Sequence, residues 1–92
     1  MELRLLRAFV AVAETLHFAR AAEGLGISPP SLTEQIQELE RRLGARLFVR
    51  SKRSVALSDA GKLFLEELRP ALTQLDHAER VARLAGRGAR GI

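Results

Sequence analysis

The sequence contains no cysteine, no tryptophan and no tyrosine among its 92 residues. The absence of cysteine excludes disulfide bonds and thiolate metal sites. No apolar run approaches the ~18 residues that a membrane-spanning helix needs, so we expect no membrane contact. The N-terminus also lacks the layout of a signal peptide, because Glu2, Arg4 and Arg7 interrupt its apolar residues. The expected location is therefore the cytoplasm.

Aromatic residues are scarce as well, since the chain has only four phenylalanines. Apolar residues nevertheless make up 47% of the chain, which is enough for the core of one small domain. That core must consist mostly of leucine, valine, isoleucine and alanine, a composition that suits helices packed against one another. We therefore expect one mostly helical domain.

The excess of positive charge is modest, with 15 basic against 11 acidic residues, so its position matters more than its size. Between residues 41 and 53 lie six basic residues and no acidic one. A local positive block beside a compact helical unit is typical of a surface that binds phosphates. Judged by charge alone, a solvated surface would be the more common explanation. The residues of this basic run are Arg41, Arg42, Arg46, Arg50, Lys52 and Arg53.

The spacing of apolar residues predicts three helices before the basic run ends. The first covers residues 2–15 and carries a broad apolar stripe. The second covers residues 18–25 and should end at Gly26, which can adopt a positive φ at little cost. The third begins after Ser28, a natural N-cap, and should end at Gly44. The stripe of the first helix consists of Leu3, Leu6, Val10 and Ala13, widened by Leu5, Phe9 and Val12.

Two short strand-like runs follow, at residues 47–49 and 55–57. The segment between them is polar and basic, which predicts a two-stranded hairpin with a charged tip. The fold class that results is mostly α, a winged helix-turn-helix of three helices and a two-stranded β wing.

A long fourth helix is expected over residues 59–86, with Ser58 as its N-cap. Pro70 interrupts it, so we weigh a kinked continuous helix against two helices that meet near Arg69. Its apolar residues alternate in steps of four and three, as a helix–helix contact requires. This predicted dimer seam contains Phe64, Leu68, Ala71, Leu75, Ala78 and Ala82.

The chain therefore divides into three predicted parts. Residues 1–58 form the winged domain, and residues 59–86 form a linker helix that joins two copies. Residues 87–92 are rich in glycine and predict a flexible hinge toward a domain that is absent from this chain.

The segment 18–36 carries the strongest functional signal. A helix-turn-helix needs a small residue where its helices cross, a glycine in the turn and apolar residues that fix the second helix. The basic hairpin that follows adds a second contact to duplex DNA, on phosphates or in the minor groove. We therefore predict that the third helix enters the major groove with its first turn, residues 28–35. The helix-turn-helix positions are filled by Ala22, Gly26, Ile27, Leu32 and Ile36.

Two stretches resemble the LysR-type transcriptional regulators, and the resemblance covers about residues 3–85. One stretch ends in Ser28-Pro29-Pro30-Ser31-Leu32-Thr33-Glu34-Gln35-Ile36. The other joins Leu-Phe-x-Arg-x-x-Arg at residues 47–53 to Leu-Ser-x-Ala-Gly at residues 57–61, and it is the more specific of the two. Members of this family activate or repress transcription, usually at an interrupted palindrome near a promoter.

The resemblance implies a winged domain and a linker helix that pairs two domains into a homodimer on double-stranded promoter DNA. It also implies a higher oligomer in the full-length protein. A C-terminal effector-binding domain, absent here, would bind a small-molecule inducer. Arg53 lies at the position of the second wing arginine of the family, so it is the preferred contact between the wing and DNA. The predicted DNA-binding residues are Phe18, Arg20, Ser28, Pro29, Pro30, Ser31, Thr33, Glu34, Gln35, Arg50, Lys52 and Arg53.

Some positions depart from the family pattern. Pro29 stands where glutamine is common, and it has no donor with which to contact a base. Glu34 stands where a basic residue is frequent, so it either accepts from a cytosine amino group, pairs with a nearby arginine or is a plain surface charge. Arg50 has two alternative roles, a DNA contact or a brace against the third helix or Asp59.

Two other classes of function were weighed. A helical adaptor that binds a partner protein would gain little from the basic hairpin beside a capped, polar helix start. An enzyme would need a nucleophile–base pair, a metal cluster or a phosphate-binding loop, and none is visible. We therefore expect no catalysis, cofactor or metal site, and we interpret His17 as a capping or surface residue and His77 as structural or solvated.

Overall fold

The computed structural model describes residues 1–88, which form four helices and one two-stranded antiparallel sheet. Three helices come first. Helix α1 spans Leu3–Thr15, α2 spans Phe18–Leu25 and α3 spans Pro29–Leu43. These bounds agree with the periodicity of the sequence to within one residue, because the helix ends are set by local capping.

The sheet and the last helix complete the fold. Strands β1 (Phe48–Arg50) and β2 (Val55–Leu57) pair with Phe48 opposite Leu57, and helix α4 spans Asp59–Arg87. Strand β1 therefore begins one residue later than predicted and includes Arg50. Of the predicted hinge, Arg87 belongs to α4, and residues 89–92 lie outside the described residues.

The caps predicted for α3 and α4 are confirmed. The Ser28 hydroxyl accepts a hydrogen bond from the Ser31 N–H at 3.2 Å, and the Ser58 hydroxyl accepts one from the Gly61 N–H at 2.9 Å. Gly26 and Gly44 end α2 and α3 with φ of +71° and +68°, a conformation in which other residues are strained. Local residues thus determine where α3 and α4 begin and where α2 and α3 end.

The core lies where α1, α2 and α3 meet beneath the sheet. Phe9 is fully buried at its centre, with its ring centroid 5.5 Å from that of Phe48 and 5.1 Å from that of Phe64. Leu5 and Val12 accompany Phe9 on the buried face of α1. The central residues of the apolar stripe predicted for α1 are only half-buried at the first three positions. Packing against α2 and α3 turns α1 so that the residues predicted at the edge of the stripe face the core. Those three positions are Leu3, Leu6 and Val10.

Helix α4 is continuous through Pro70, which excludes two helices that meet near Arg69. Pro70 is exposed, so water can satisfy the carbonyl that loses its helical donor there. None of the helices within residues 1–88 is long and apolar enough to cross a bilayer.

The first turns of α4 belong to the core of the domain. The Phe64 ring packs against Phe9 at a tilt of 50°, and Leu68 is only 7% exposed within the hydrophobic cluster. Leu68 is thus buried within its own domain and Phe64 is half-buried against it, so the predicted dimer seam at these two positions stays a prediction. The seam residues that follow Leu68 are exposed and can be reached by a partner.

Candidate nucleic-acid interface

The N-terminal turn of α3 presents side chains rather than free backbone donors. Pro29 and Pro30 occupy its first two positions and have no N–H. The Ser31 N–H binds the Ser28 hydroxyl, and the Leu32 N–H binds the Ser28 carbonyl at 3.1 Å. The backbone donors that usually attract an anion at a helix start are thus missing or used. Recognition at this turn must come from side chains and proline rings.

The exposed face of α3 is defined by the residues that anchor the opposite face. Leu32 and Ile36 are buried, at 0% and 3% exposure. Helical periodicity then directs Pro30, Glu34 and Gln37 away from the core, and all three are exposed. Gln37 was not among the predicted contacts, although its spacing of three from Glu34 was a signal that it shares this face.

Other predicted contacts on α3 are less accessible. Thr33 and Gln35 are half-buried because they flank the anchored face. Gln35 lines a shallow groove between α1 and α3 together with Ser31 and Glu34. No ion pair of Glu34 with an arginine occurs within residues 1–88, which excludes one of its predicted roles in the free domain.

The wing tip is a tight turn closed by its serines. The Ser51 N–H donates to the Ser54 carbonyl at 2.9 Å, and the Ser54 N–H donates to the Ser51 hydroxyl at 3.1 Å. Lys52 and Arg53 occupy the two central positions of this turn and are exposed. Neither forms an ion pair in the described part of the chain. Their charges are therefore available to an external anion.

Within the described residues, Arg50 does not form the brace predicted for it. Its guanidinium carbon lies 4.0 Å from the centroid of the Phe18 ring, so it stacks on α2 instead of bracing α3 or Asp59, and its DNA contact stays a prediction. The Phe18 ring in turn meets Phe48 edge-on, with centroids 6.0 Å apart. Phe18 is thus half-buried between Phe48 and Arg50, and its predicted DNA contact stays a prediction.

Helix α2 borders the wing on the other side of a shallow groove. The groove is lined by residues 16–19 from the start of α2 and residues 50–55 from the wing. His17 caps α2, because its Nδ1 accepts from the Arg20 N–H at 3.1 Å. The capping role predicted for His17 is thus confirmed, and the exposed Arg20 side chain lies in the first turn of α2.

The first half of the basic run is neutralised by acidic residues from outside it. Glu38 accepts hydrogen bonds from Arg42 at 2.8 Å and from Arg41 at 2.6 Å, and these bonds lower the pKa of its carboxyl. Arg42 also reaches Glu2 at 3.3 Å, and Arg46 lies 3.7 Å from Glu40. The run that appears uniformly positive in sequence is therefore not one positive surface.

The distal part of α4 projects beyond the core. Within residues 1–88 the hydrophobic cluster includes no α4 residue after Leu72. The predicted seam residues beyond that point are exposed, and sequence reasoning missed Val81 and Leu84, which are 50% and 60% exposed. Their size and separation of three residues were the signal that could have found them. The exposed seam residues beyond Leu72 are Leu75, Ala78 and Ala82, and Ala71, just before Leu72, is exposed as well.

Residues 1–88 contain no group of three or more histidine, cysteine or carboxylate side chains placed to hold a metal ion. The two histidines are separated, one capping α2 and the other on α4.

The chain was compared with known families and proteins. Residues 3–62 match the model of a family described as bacterial regulatory helix-turn-helix protein, lysR family. An uncharacterized helix-turn-helix regulator of Escherichia coli K12, YnfL, is 58% identical over 85% of this chain and 26% of its own length. The regulator TfdT of Cupriavidus pinatubonensis is 48% identical over 99% of this chain and 40% of its own length. The chain thus spans well under half of either relative.

Among solved structures, the fold is similar to that of the BenM DNA-binding domain in complex with a catB site DNA. The TM-score is 0.90 at 39% identity, with 96% of this chain and 98% of that chain covered. The CbnR DNA-binding domain in complex with DNA gives a TM-score of 0.85 at 42% identity, over 94% and 99% of the two chains. Both similarities include the wing and most of the long helix.

Proposed function

Since this chain belongs to the LysR family of bacterial helix-turn-helix regulators, we propose that it binds double-stranded promoter DNA at a specific sequence. Its relatives are named transcriptional regulators, and the similar solved domains are bound to DNA. In this proposal the chain regulates transcription and has no catalytic activity.

One observation carries the proposal. The exposed start of α3 and the charges of Lys52 and Arg53, which are unpaired within residues 1–88, belong to one small domain, with the wing directly following the helix. Polar side chains on a helix that fits the major groove, flanked by cations, suit base edges and phosphates of one duplex. A protein-binding adaptor would gain nothing from cations at a wing tip.

The residues divide into two groups by role. The exposed end of α3 contacts base edges, while the wing tip and Arg20 hold phosphates or enter the adjacent minor groove. Gln37 joins the base-contacting group because it shares the exposed face of Glu34. The base-contacting group otherwise comprises Ser28, Ser31, Thr33, Glu34 and Gln35, and Pro29 and Pro30 can add only apolar contacts through their rings.

The direct test is binding of the 92-residue chain to fluorescently labelled promoter fragments, measured by anisotropy at two salt concentrations. We expect binding to weaken steeply as the salt concentration rises. We also expect that unrelated DNA does not readily displace one of the fragments. Nuclease protection of that fragment would then give the half-site sequence and spacing. Binding that random duplex removes as readily as the specific fragment would contradict sequence specificity.

Glu34 gives a sharper test of base recognition. We propose that it discriminates among bases, because an unpaired acid near phosphates is unfavourable unless it accepts from a cytosine amino group. Glu34→Ala should weaken binding to the preferred site and relax discrimination by about 1–3 kcal/mol at one base pair. A uniform gain across a panel of operators would show instead that Glu34 only repels phosphate.

We also propose that two copies pair through α4 on an interrupted palindrome. The reachable seam is rich in alanine, which permits close approach but buries little apolar area, so the isolated chain should dimerise weakly. Val81 and Leu84 would add apolar area at the distal end. In the whole protein we propose a higher oligomer, and a small-molecule inducer that acts through a domain outside these residues.

Sedimentation across a concentration series, with and without DNA, tests the pairing. Leu75→Glu should shift the equilibrium to monomer, because it places a charge in the seam. Thr73→Glu adds the same charge to the opposite, exposed side of α4 and is the matched control. Monomers alone at every concentration, including on DNA, would contradict the proposal.

A further inference from the structure

The segment that connects α3 to the wing is held by both neighbouring helices. We define the wing root as Arg46 and Leu47, the residues that immediately precede β1. From the α3 side, the Glu40 carboxylate accepts a hydrogen bond from the Leu47 N–H at 2.7 Å. From the α4 side, the Ser58 hydroxyl donates to the Arg46 carbonyl at 2.6 Å. The wing root is thus bound to a side chain of each helix.

Two further contacts hold α4 against the wing root. The Ser58 N–H donates to the Leu47 carbonyl at 2.9 Å, and the same Ser58 hydroxyl caps α4 through the Gly61 N–H. Gly61 lies so close to the Leu47 carbonyl that a Cβ added there would overlap it. Only glycine allows α4 to approach the wing root this closely.

Burial makes the Glu40 hydrogen bond consequential. The Glu40 side chain is only 13% exposed, and Leu47 is 1% exposed. A buried N–H that loses its acceptor is costly, so the backbone at Leu47 would shift to find another partner. Leu47 leads directly into Phe48 and the rest of β1, and such a shift would therefore move the wing.

We propose that Glu40 is a positioning residue for DNA binding. Through the Leu47 N–H it sets the distance between the wing tip and the exposed start of α3, and through Ser58 the same junction fixes the wing relative to α4. The proposal rests on the proposed DNA-binding function. It assigns to Glu40 an effect on the wing contact and none on the α3 contact.

The test is a pair of double-mutant cycles on DNA affinity. Arg53→Ala should weaken binding about tenfold in the wild-type background, and by less than about threefold when combined with Glu40→Ala. Gln35→Ala should weaken binding by the same factor in both backgrounds. The proposal would be overturned if Arg53→Ala and Gln35→Ala each weakened binding by the same factor with and without Glu40→Ala. It would also be overturned if both cycles departed from additivity. Either result would make Glu40 a general stability residue.

Conservative variants separate positioning from charge. Glu40→Gln keeps an acceptor for the Leu47 N–H, so Arg53→Ala should weaken binding in this background as much as in wild type. Glu40→Asp withdraws the carboxylate by one methylene, so Arg53→Ala should have a smaller effect there. Glu38→Ala is the matched control, because it removes two ion pairs from the same helix without touching the wing root. Additivity with Arg53→Ala is expected for Glu38→Ala.

A measurement without DNA distinguishes failure of this proposal from failure of the proposed function. In backbone NMR spectra of the free chain, Glu40→Asp should shift the signals of residues 48–57 and leave those of residues 29–36 unchanged. Glu40→Gln should give the same signals as wild type. An unmoved wing in Glu40→Asp would overturn the positioning role whether or not the chain binds DNA. A displaced wing in a chain that never binds DNA would overturn the function instead.

Discussion

The two halves of the basic run have the same charge in sequence and opposite surroundings in the structure. Arg41, Arg42 and Arg46 lie beside acidic side chains from α3 and the N-terminus. Lys52 and Arg53, at the wing tip, lie beside none in the described residues. A count of charges along the chain therefore overstates the surface available to DNA.

Arg50 lies between these halves and explains how the second half is supported. Its guanidinium is held on the Phe18 ring, so it contributes more to the placement of the wing than to free charge. The wing therefore depends on packing against the Phe18 ring of α2, which we call the platform. The arginines of the first half of the run only pair with acidic side chains at the surface. Three experiments test this difference.

The largest effect should come from removing the platform. Phe18→Ala deletes a half-buried ring that meets both Phe48 and Arg50, and we expect a loss of about 2–3 kcal/mol in the free energy of unfolding. Arg50→Ala leaves the ring in place and should cost only about 0.5–1 kcal/mol. Chemical denaturation of both variants measures the two losses. Equal losses in the free energy of unfolding would show that the Phe18 ring contributes nothing beyond its contact with the Arg50 guanidinium.

A smaller effect separates the two halves directly on DNA. Arg53→Ala should reduce affinity by about tenfold and flatten the slope of log K against log salt by about one unit. Arg41→Ala is the matched control, because Glu38 already balances that charge, and its slope should stay close to wild type. If Arg41→Ala flattened the slope as much as Arg53→Ala, the two halves would be equivalent.

The smallest effect concerns the pH dependence of the first half. Hydrogen bonds from Arg42 and Arg41 lower the pKa of Glu38 below its ordinary value of 4.5. A carboxyl with a lowered pKa stabilises the fold above its unfolded pKa and loses that contribution as pH falls through its folded pKa. The effect should be small, because both partners are exposed.

Thermal unfolding of wild type and Glu38→Gln from pH 7 downward measures this contribution. The difference in Tm should be greatest at neutral pH and should close below the ordinary range of the carboxyl. A difference that stays constant into acid would mean that Glu38 acts through packing rather than charge.

Sequence alone determined the local features of this protein. The serine caps of α3 and α4, the glycines that end α2 and α3, and the wing between two short apolar runs were all predicted and confirmed. Each depends on residues within about four positions of one another, so the physics is contained in the local sequence. The family followed from the same local motifs.

Only the tertiary structure decided which distant groups meet. Arg42 meets Glu2 across 40 positions, Arg50 meets the ring of Phe18, and Phe64 is taken into the core. Nothing in local periodicity selects these partners, because the broad apolar stripe of α1 allows more than one rotation and α4 more than one buried face. The packing of the helices selects among them, and in the described part of the chain it leaves the wing-tip charges without ion-pair partners while the arginines of α3 pair with acidic side chains.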